Sequence, residues 1–232
     1  MEIKSKYIAH RGIFNNIDTP ENTIKAFKKA INLNYPFELD VQMTKDEKIV
    51  VFHDDNLKRL TNNDKNIIDC DYDEIKSIKL LNTRNYIPLF SDVLKLNNDK
   101  VLIIVEIKAT KNRKKVIDKV INLLDKYNNY IIQSDDPKII RYIKKNYPNI
   151  TSGFLVHYDY KSFIVNMIFK SSFILKYTHC DFVSISKRLL KDIKYMKKVN
   201  GLFKFIWTIK DNNIDLDNDY CFICDNLPYI NK

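Results

Sequence analysis

Phe37-Glu38-Leu39-Asp40-Val41 is the stretch on which the fold turns. In a β-strand, successive side chains point to opposite faces. Glu38 and Asp40 therefore share one face, and Phe37, Leu39 and Val41 share the other. Carboxylates held side by side repel, and burying them without a cation either costs several kcal/mol or forces a raised pKa. A hard divalent ion removes the conflict. A solvated edge strand would tolerate the acids but leave the apolar face uncovered. In a parallel barrel, helices cover that face and the two carboxylates project inward.

Outward from this stretch, short apolar runs recur. Tyr7–His10, Phe37–Val41, Val101–Glu106, Tyr130–Gln133, Ser152–Val156, Phe182–Ile185, Lys204–Thr208 and Cys221–Cys224 read as strands, and Ile49–His53 as a hairpin partner inserted after the second of them. Amphipathic segments fall between. Ile24, Phe27, Ala30 and Ile31 repeat at helical spacing, with Thr19 as the expected N-cap and Pro20 as the first helical residue. Val116, Val120, Ile121 and Leu124 form a second stripe, and Ile139, Ile140 and Ile143 a third that Pro137 opens. Strands alternating with helices predict a parallel sheet, and eight such units predict a closed (β/α)8 TIM-type barrel. A chain of 232 residues suits one barrel, so 1–232 is expected to be a single domain. Only 3 glycines occur, so a phosphate site would rely on side chains and metal rather than on a glycine-rich loop.

The chemistry-bearing residues sit where barrels place their active sites, at the C-terminal ends of strands. Glu106 ends an apolar run and offers a third oxygen ligand, and Lys108 shares its face and offers a charge to a phosphate oxygen. A strand-end ion pair is the alternative for both. Histidine is scarce, with 4 in the chain, yet His10 and His53 each follow an apolar strand. Phosphodiester cleavage needs a base for the nucleophile and an acid for the leaving oxygen, and imidazole serves both roles near neutral pH. His157 and His179 lack this setting and read as ordinary residues.

His10-Arg11-Gly12, Pro20-Glu21-Asn22-Thr23, Glu38-Leu39-Asp40-Val41, Thr44-Lys45-Asp46, His53-Asp54 and Glu106-Ile107-Lys108, in this order, resemble the motifs of the glycerophosphodiester phosphodiesterase family. Arg59-Leu60-Thr61, Ile87-Pro88-Leu89, Trp207-Thr208 and Asp225 with Pro228 resemble its weaker ones. The resemblance implies a (β/α)8 barrel that hydrolyses glycerophosphodiesters to glycerol 3-phosphate and an alcohol. It implies that Glu38, Asp40 and Glu106 bind one divalent ion, Mg2+ or Ca2+. His10 and His53 would act as acid and base, Arg11 and Lys108 would hold the phosphate, and Trp207 would line the substrate cavity. The sequence departs from the pattern at Tyr35-Pro36, at Ser134-Asp135 where Ser-Phe is expected, and in the last strand, Asp219–Asp225.

The remaining features bound partners and location. Lys and Arg number 39 against 29 Asp and Glu, a net charge of +10, but the lysines are spread along the chain. That spread reads as biased composition rather than as a nucleic-acid patch. The N-terminal residues lack the apolar stretch of a signal peptide, and a cytoplasmic protein with free thiols is expected. Cys221 and Cys224 would face opposite sides of a strand and read as core thiols. Residues 163–176 are apolar nearly all round if helical, flanked by Lys161, Lys170 and Lys176. A broadly buried barrel helix, a homodimer contact and peripheral membrane contact are the readings open for them. An enzyme on lipid phosphodiesters and a catalytically inactive binding module are the alternatives to the small-substrate hydrolase.

Overall fold

The computed structural model describes residues 5–160, 162–210 and 220–227. Its first half runs β1 (Tyr7–Ala9), α1 (Ile24–Asn32), β2 (Phe37–Met43), β3 (Ile49–Val51), α2 (Lys58–Thr61), α3 (Tyr72–Ile75), α4 (Phe90–Asn97) and β4 (Ile103–Ile107). The second half runs α5 (Arg113–Leu124), β5 (Tyr130–Ser134), α6 (Pro137–Asn146), β6 (Ser152–Val156), α7 (Phe163–Phe169), α8 (Ser172–Thr178), β7 (Phe182–Ser186), α9 (Ile193–Lys198), β8 (Phe203–Ile209) and β9 (Tyr220–Cys224). Lys161, Asp219 and Pro228, named in the sequence reading, lie outside the described residues.

The parallel strands follow one another in the order β1, β9, β8, β7, β6, β5, β4, β2, and a β1–β2 pairing of Ala9 with Phe37 closes the ring. This is the expected eight-stranded barrel. The hairpin is also present: β3 runs antiparallel to β2, with Val41 opposite Val51. The outer layer packs β2's Phe37, Leu39 and Val41 against helix residues such as Phe27, Ala30 and Ile31. Phe27 and Phe37 stack with ring centroids 4.8 Å apart. The lumen holds a second cluster that includes Ile8, Ile104, Phe182, Phe205 and Ile223. A third, with Val50, Phe52, Leu57 and Leu60, anchors the insertion that follows β3. Cys221 belongs to the lumen cluster and Cys224 to the outer one, so the pair does face opposite ways. Cys70, Cys180, Cys221 and Cys224 are free and buried, and burial pushes the Cys221 thiol up to about 11 and the Cys224 thiol up to about 12.

Helix α1 starts later than the sequence predicts. Its N-cap is Thr23, whose hydroxyl accepts the Ala26 N–H at 3.3 Å, rather than Thr19. Pro20 stays in the preceding loop, where its carbonyl accepts the Thr23 hydroxyl at 2.7 Å. The cause is Asn22, held at φ 57° so that its side chain can reach Asp40. A helix begun at Pro20 could not contain that left-handed residue. α5 buries Val116, Val120 and Leu124 as read, but Ile117 is buried and the expected Ile121 only half-buried; α6 buries Ile139, Ile140 and Ile143 as read, and Pro137 opens it behind the Asp136 cap.

Candidate active site

β2 and β4 pair in parallel with Asp40 beside Glu106. Glu38, one inward step below Asp40, completes a triangle in which one carboxylate oxygen from each residue lies within 4.8 Å of those of the other two. These three side chains are buried. Each is tethered differently. Asp40 accepts the Asn22 side-chain amide at 2.8 Å. Glu106 accepts the Lys108 ammonium at 2.7 Å and the Gln133 amide at 3.3 Å. Glu38 accepts the Arg11 backbone N–H at 3.0 Å. That last bond depends on a sharp turn at the end of β1, where Arg11 (φ 55°) and Gly12 (φ 78°) are both left-handed. A Cβ on Gly12 would stand 2.9 Å from Ala26 of α1, so the turn sits flush on that helix.

The electrostatics follow from these tethers. Burial, then the neighbouring Asp40 and Glu106, push the Glu38 carboxyl well above the usual carboxylate range. Asp40 is as buried, but the charges of Lys108 and Arg11 and the Asn22 bond outweigh burial and hold it below that range. Burial would lower the Lys108 pKa, yet Glu106 and Asp40 carry it above its ordinary value. The triangle is therefore one positive charge short of comfort, with Glu38 bearing the mismatch. An all-oxygen donor set with excess negative charge fits a hard divalent cation.

His10 and His53 line the same cavity as this triangle. Nδ1 of His10 lies 2.6 Å from an Asp225 oxygen, and Nδ1 of His53 lies 2.6 Å from an Asp54 oxygen. A carboxylate partner calls for the proton on Nδ1, which leaves Nε2 of a neutral ring as the free lone pair. His10 Nε2 is 3.9 Å from Glu38, turned toward the cluster. Gln42 supports the other histidine by donating to the Phe52 carbonyl at 2.9 Å and the Asp54 carbonyl at 2.8 Å.

One cavity is lined by His10, Arg11, Glu38, Asp40, His53, Glu106, Lys108 and Trp207, so every site residue expected from the sequence is brought to it. His157, read as ordinary, lines it too. It follows β6 as His10 follows β1, and that shared position just past a strand end was the available signal. Asp135 lies 3.3 Å from His157 Nε2, and the His157 ring meets Trp207 edge-on at 5.2 Å. Buried Trp207 Nε1 and Asp135 Oδ1 have no hydrogen-bond partner among the described residues. His179 is exposed at the end of α8, away from the cavity. Asp54 and Asp225 were quoted within motifs without a role, because their pairing with a histidine is a three-dimensional fact.

A TIM-type barrel with a carboxylate triangle, paired cations and two carboxylate-held histidines at the C-terminal mouth defines a phosphoric diester hydrolase. The chain belongs to the glycerophosphoryl diester phosphodiesterase family, whose model matches residues 10–223. It is 36% identical over 167 residues to the glycerophosphodiester phosphodiesterase of Caldanaerobacter subterraneus subsp. tengcongensis, 66% of this chain and 67% of that one. A glycerophosphodiester phosphodiesterase structure from Thermotoga maritima superposes with a TM-score of 0.75 at 26% identity, over 97% of this chain and 96% of the other. An Oleispira antarctica phosphodiesterase in complex with the product sn-glycerol-3-phosphate shares the fold at a TM-score of 0.76 and 21% identity, over 95% and 93%.

Proposed function

We propose that the chain hydrolyses glycerophosphodiesters such as glycerophosphocholine to glycerol 3-phosphate and an alcohol, using the residues that converge on this one cavity. Glu38, Asp40 and Glu106 would hold a single Mg2+ or Ca2+, which would supply Lewis acidity toward a phosphoryl oxygen. Arg11 and Lys108 orient the phosphate by charge-assisted hydrogen bonds. One of His10 and His53 takes a proton at Nε2 from the nucleophile, water or a glycerol hydroxyl. The other gives a proton to the departing alcohol oxygen. Trp207 forms part of the wall against which the substrate packs. The observation that carries this reading is the pairing of each histidine with its own carboxylate beside the carboxylate triangle.

Release of glycerol 3-phosphate from glycerophosphocholine tests it. His10→Ala and His53→Ala should each lower kcat by about 10² to 10⁴-fold, and a chelator should abolish turnover until Mg2+ or Ca2+ is returned. Near-normal rates in both variants would overturn the assignment. No helix of the described residues is long and apolar enough to cross a membrane. The same reading takes 1–232 as one domain acting in the cytoplasm on small substrates rather than nucleic acid, as a monomer or homodimer. Cell fractionation and light scattering check location and assembly.

A further inference from the structure

Helix α7, Phe163-Ile-Val-Asn-Met-Ile-Phe169, buries none of its residues. Phe163, Ile164 and Met167 are 75%, 64% and 57% exposed, and Phe173 at the start of α8 is 67% exposed. The expectation of a broadly buried barrel helix therefore fails for α7. The barrel position belongs to α8, which packs against α6 and buries Ile174. Only Phe169 of α7 is packed against the core, with its ring 5.7 Å from that of Phe154; a helix this short has little stability of its own, and exposed apolar residues gathered on it mark an interaction surface.

The patch has a cationic flank. An open groove beside α7 is lined by Lys170, Lys187, Arg188 and Lys191, with Asp159 and Asp192 as its acidic members. Asp192 is occupied in capping α9, where it accepts the Tyr195 N–H at 2.9 Å. The Lys170 ammonium and the Arg188 guanidinium lie 5.1 and 5.7 Å from the centre of the Tyr158 ring, which ties the groove to the loop after β6. That loop begins with His157, which lines the catalytic cavity. Apolar patch and cavity mouth thus share the connection after β6, and the basic groove lies between that connection and residues 187–191 after β7.

We propose that α7 and the start of α8 are a membrane-docking surface, in which Phe163, Ile164, Met167 and Phe173 enter the acyl boundary of a bilayer while Lys170, Arg188 and Lys191 meet anionic head groups. Charge decides between a bilayer and a second copy of the chain. A two-fold contact presents the same patch from both sides, which sets basic flank near basic flank. An anionic bilayer satisfies the apolar face and the cationic flank together. Docking would turn the cavity mouth toward the lipid surface. The inference goes beyond the glycerophosphodiester reading and does not depend on it, because its test needs no turnover.

The full chain is sedimented with vesicles of phosphatidylcholine alone and of phosphatidylcholine mixed with phosphatidylglycerol. It should co-sediment with the anionic vesicles, less so as salt rises. The Phe163→Ser/Ile164→Ser/Phe173→Ser variant should lose partitioning by at least about tenfold, because its apolar payload is gone. Arg188→Glu/Lys191→Glu should abolish the preference for anionic vesicles. Both variants should keep wild-type turnover of water-soluble glycerophosphocholine. Failure of the wild type to bind either vesicle would overturn the proposal, as would equal binding by the serine variant. So would a concentration-dependent dimer in light scattering that the serine variant dissolves, which would assign the face to a second copy.

Discussion

Glu21 joins the two sides of the catalytic mouth. Arg59 grips it with both guanidinium nitrogens, at 2.7 and 3.0 Å, and Arg11 and Asn16 donate to it at 2.5 and 2.9 Å. Arg59 also donates to Asp54 at 2.6 Å, the carboxylate that holds His53, while Arg11 stands 3.4 Å from Asp40. Burial works to raise the Glu21 pKa, but the bonds from Arg59, Arg11 and Asn16 prevail and bring it from 4.5 to about 2. A carboxyl whose folded pKa is depressed stabilises the fold above its unfolded pKa and loses that contribution as pH falls toward the folded one. The difference corresponds to about 3 kcal/mol at most. Glu21→Gln should therefore be less stable than wild type in urea at pH 7, with the deficit shrinking as pH drops from about 5 toward 2. A deficit unchanged across that range would mean that packing, not charge, holds the site. The placement of Glu38, Asp40 and Glu106 was legible in sequence because strand alternation is local and their neighbours are apolar. The partners that orient the histidines were not. His10 and Asp225 are 215 positions apart, and only closure of the barrel brings them together.

At the scale of elements, β6 and β7 show how side-chain shape sets the packing. Gly153 of β6 pairs with Phe182 of β7. A Cβ at Gly153 would fall 2.1 Å from a carbon of the Phe182 ring, which lies across the glycine and fills the lumen. Gly153→Ala should cost about 1–3 kcal/mol, the usual range for forcing extra volume into a packed core. Most of that cost should vanish in a Phe182→Leu background, where the ring is gone. Urea denaturation of the single and double variants checks this, and a Gly153→Ala protein as stable as wild type would contradict the close approach. The strands were legible as elements because their apolar runs are short and separated by polar helical faces. The start of α1 was not: Thr19-Pro20 and Thr23 both carry helix-opening signals, and the choice fell to Asn22's bond with Asp40, made by a residue 18 positions on. The exposure of α7 was equally hidden. Apolarity on all sides is the same in sequence whether a helix is buried or waiting for a partner.

At the scale of the whole molecule, the barrel confines a self-repelling cluster. Glu38 and Asp40 from β2 and Glu106 from β4 are held within 4.8 Å by folding alone, and unfolding releases them. An ion bound only by the folded state stabilises it by RT ln(1 + [L]/Kd), about 2.7 kcal/mol at a hundredfold excess over Kd. For a chain of this size that is roughly 5–10 °C in Tm. Chelator-treated protein should therefore melt lower and recover on addition of Mg2+ or Ca2+. Glu38→Gln separates a metal ligand from a merely structural acid. Glu38 bears most of the repulsion, through burial and its two acidic neighbours, so the neutral amide should leave the ion-free protein as stable as wild type or more so. The same change removes a carboxylate ligand, so the rise in Tm with added ion should be lost. A structural carboxylate gives the opposite pattern, with lower stability in the ion-free protein and an unchanged response. That pattern, or a wild-type Tm indifferent to both ions, would remove the metal from the carboxylate triangle and leave Lys108 and Arg11 as the counter-charges of this cluster.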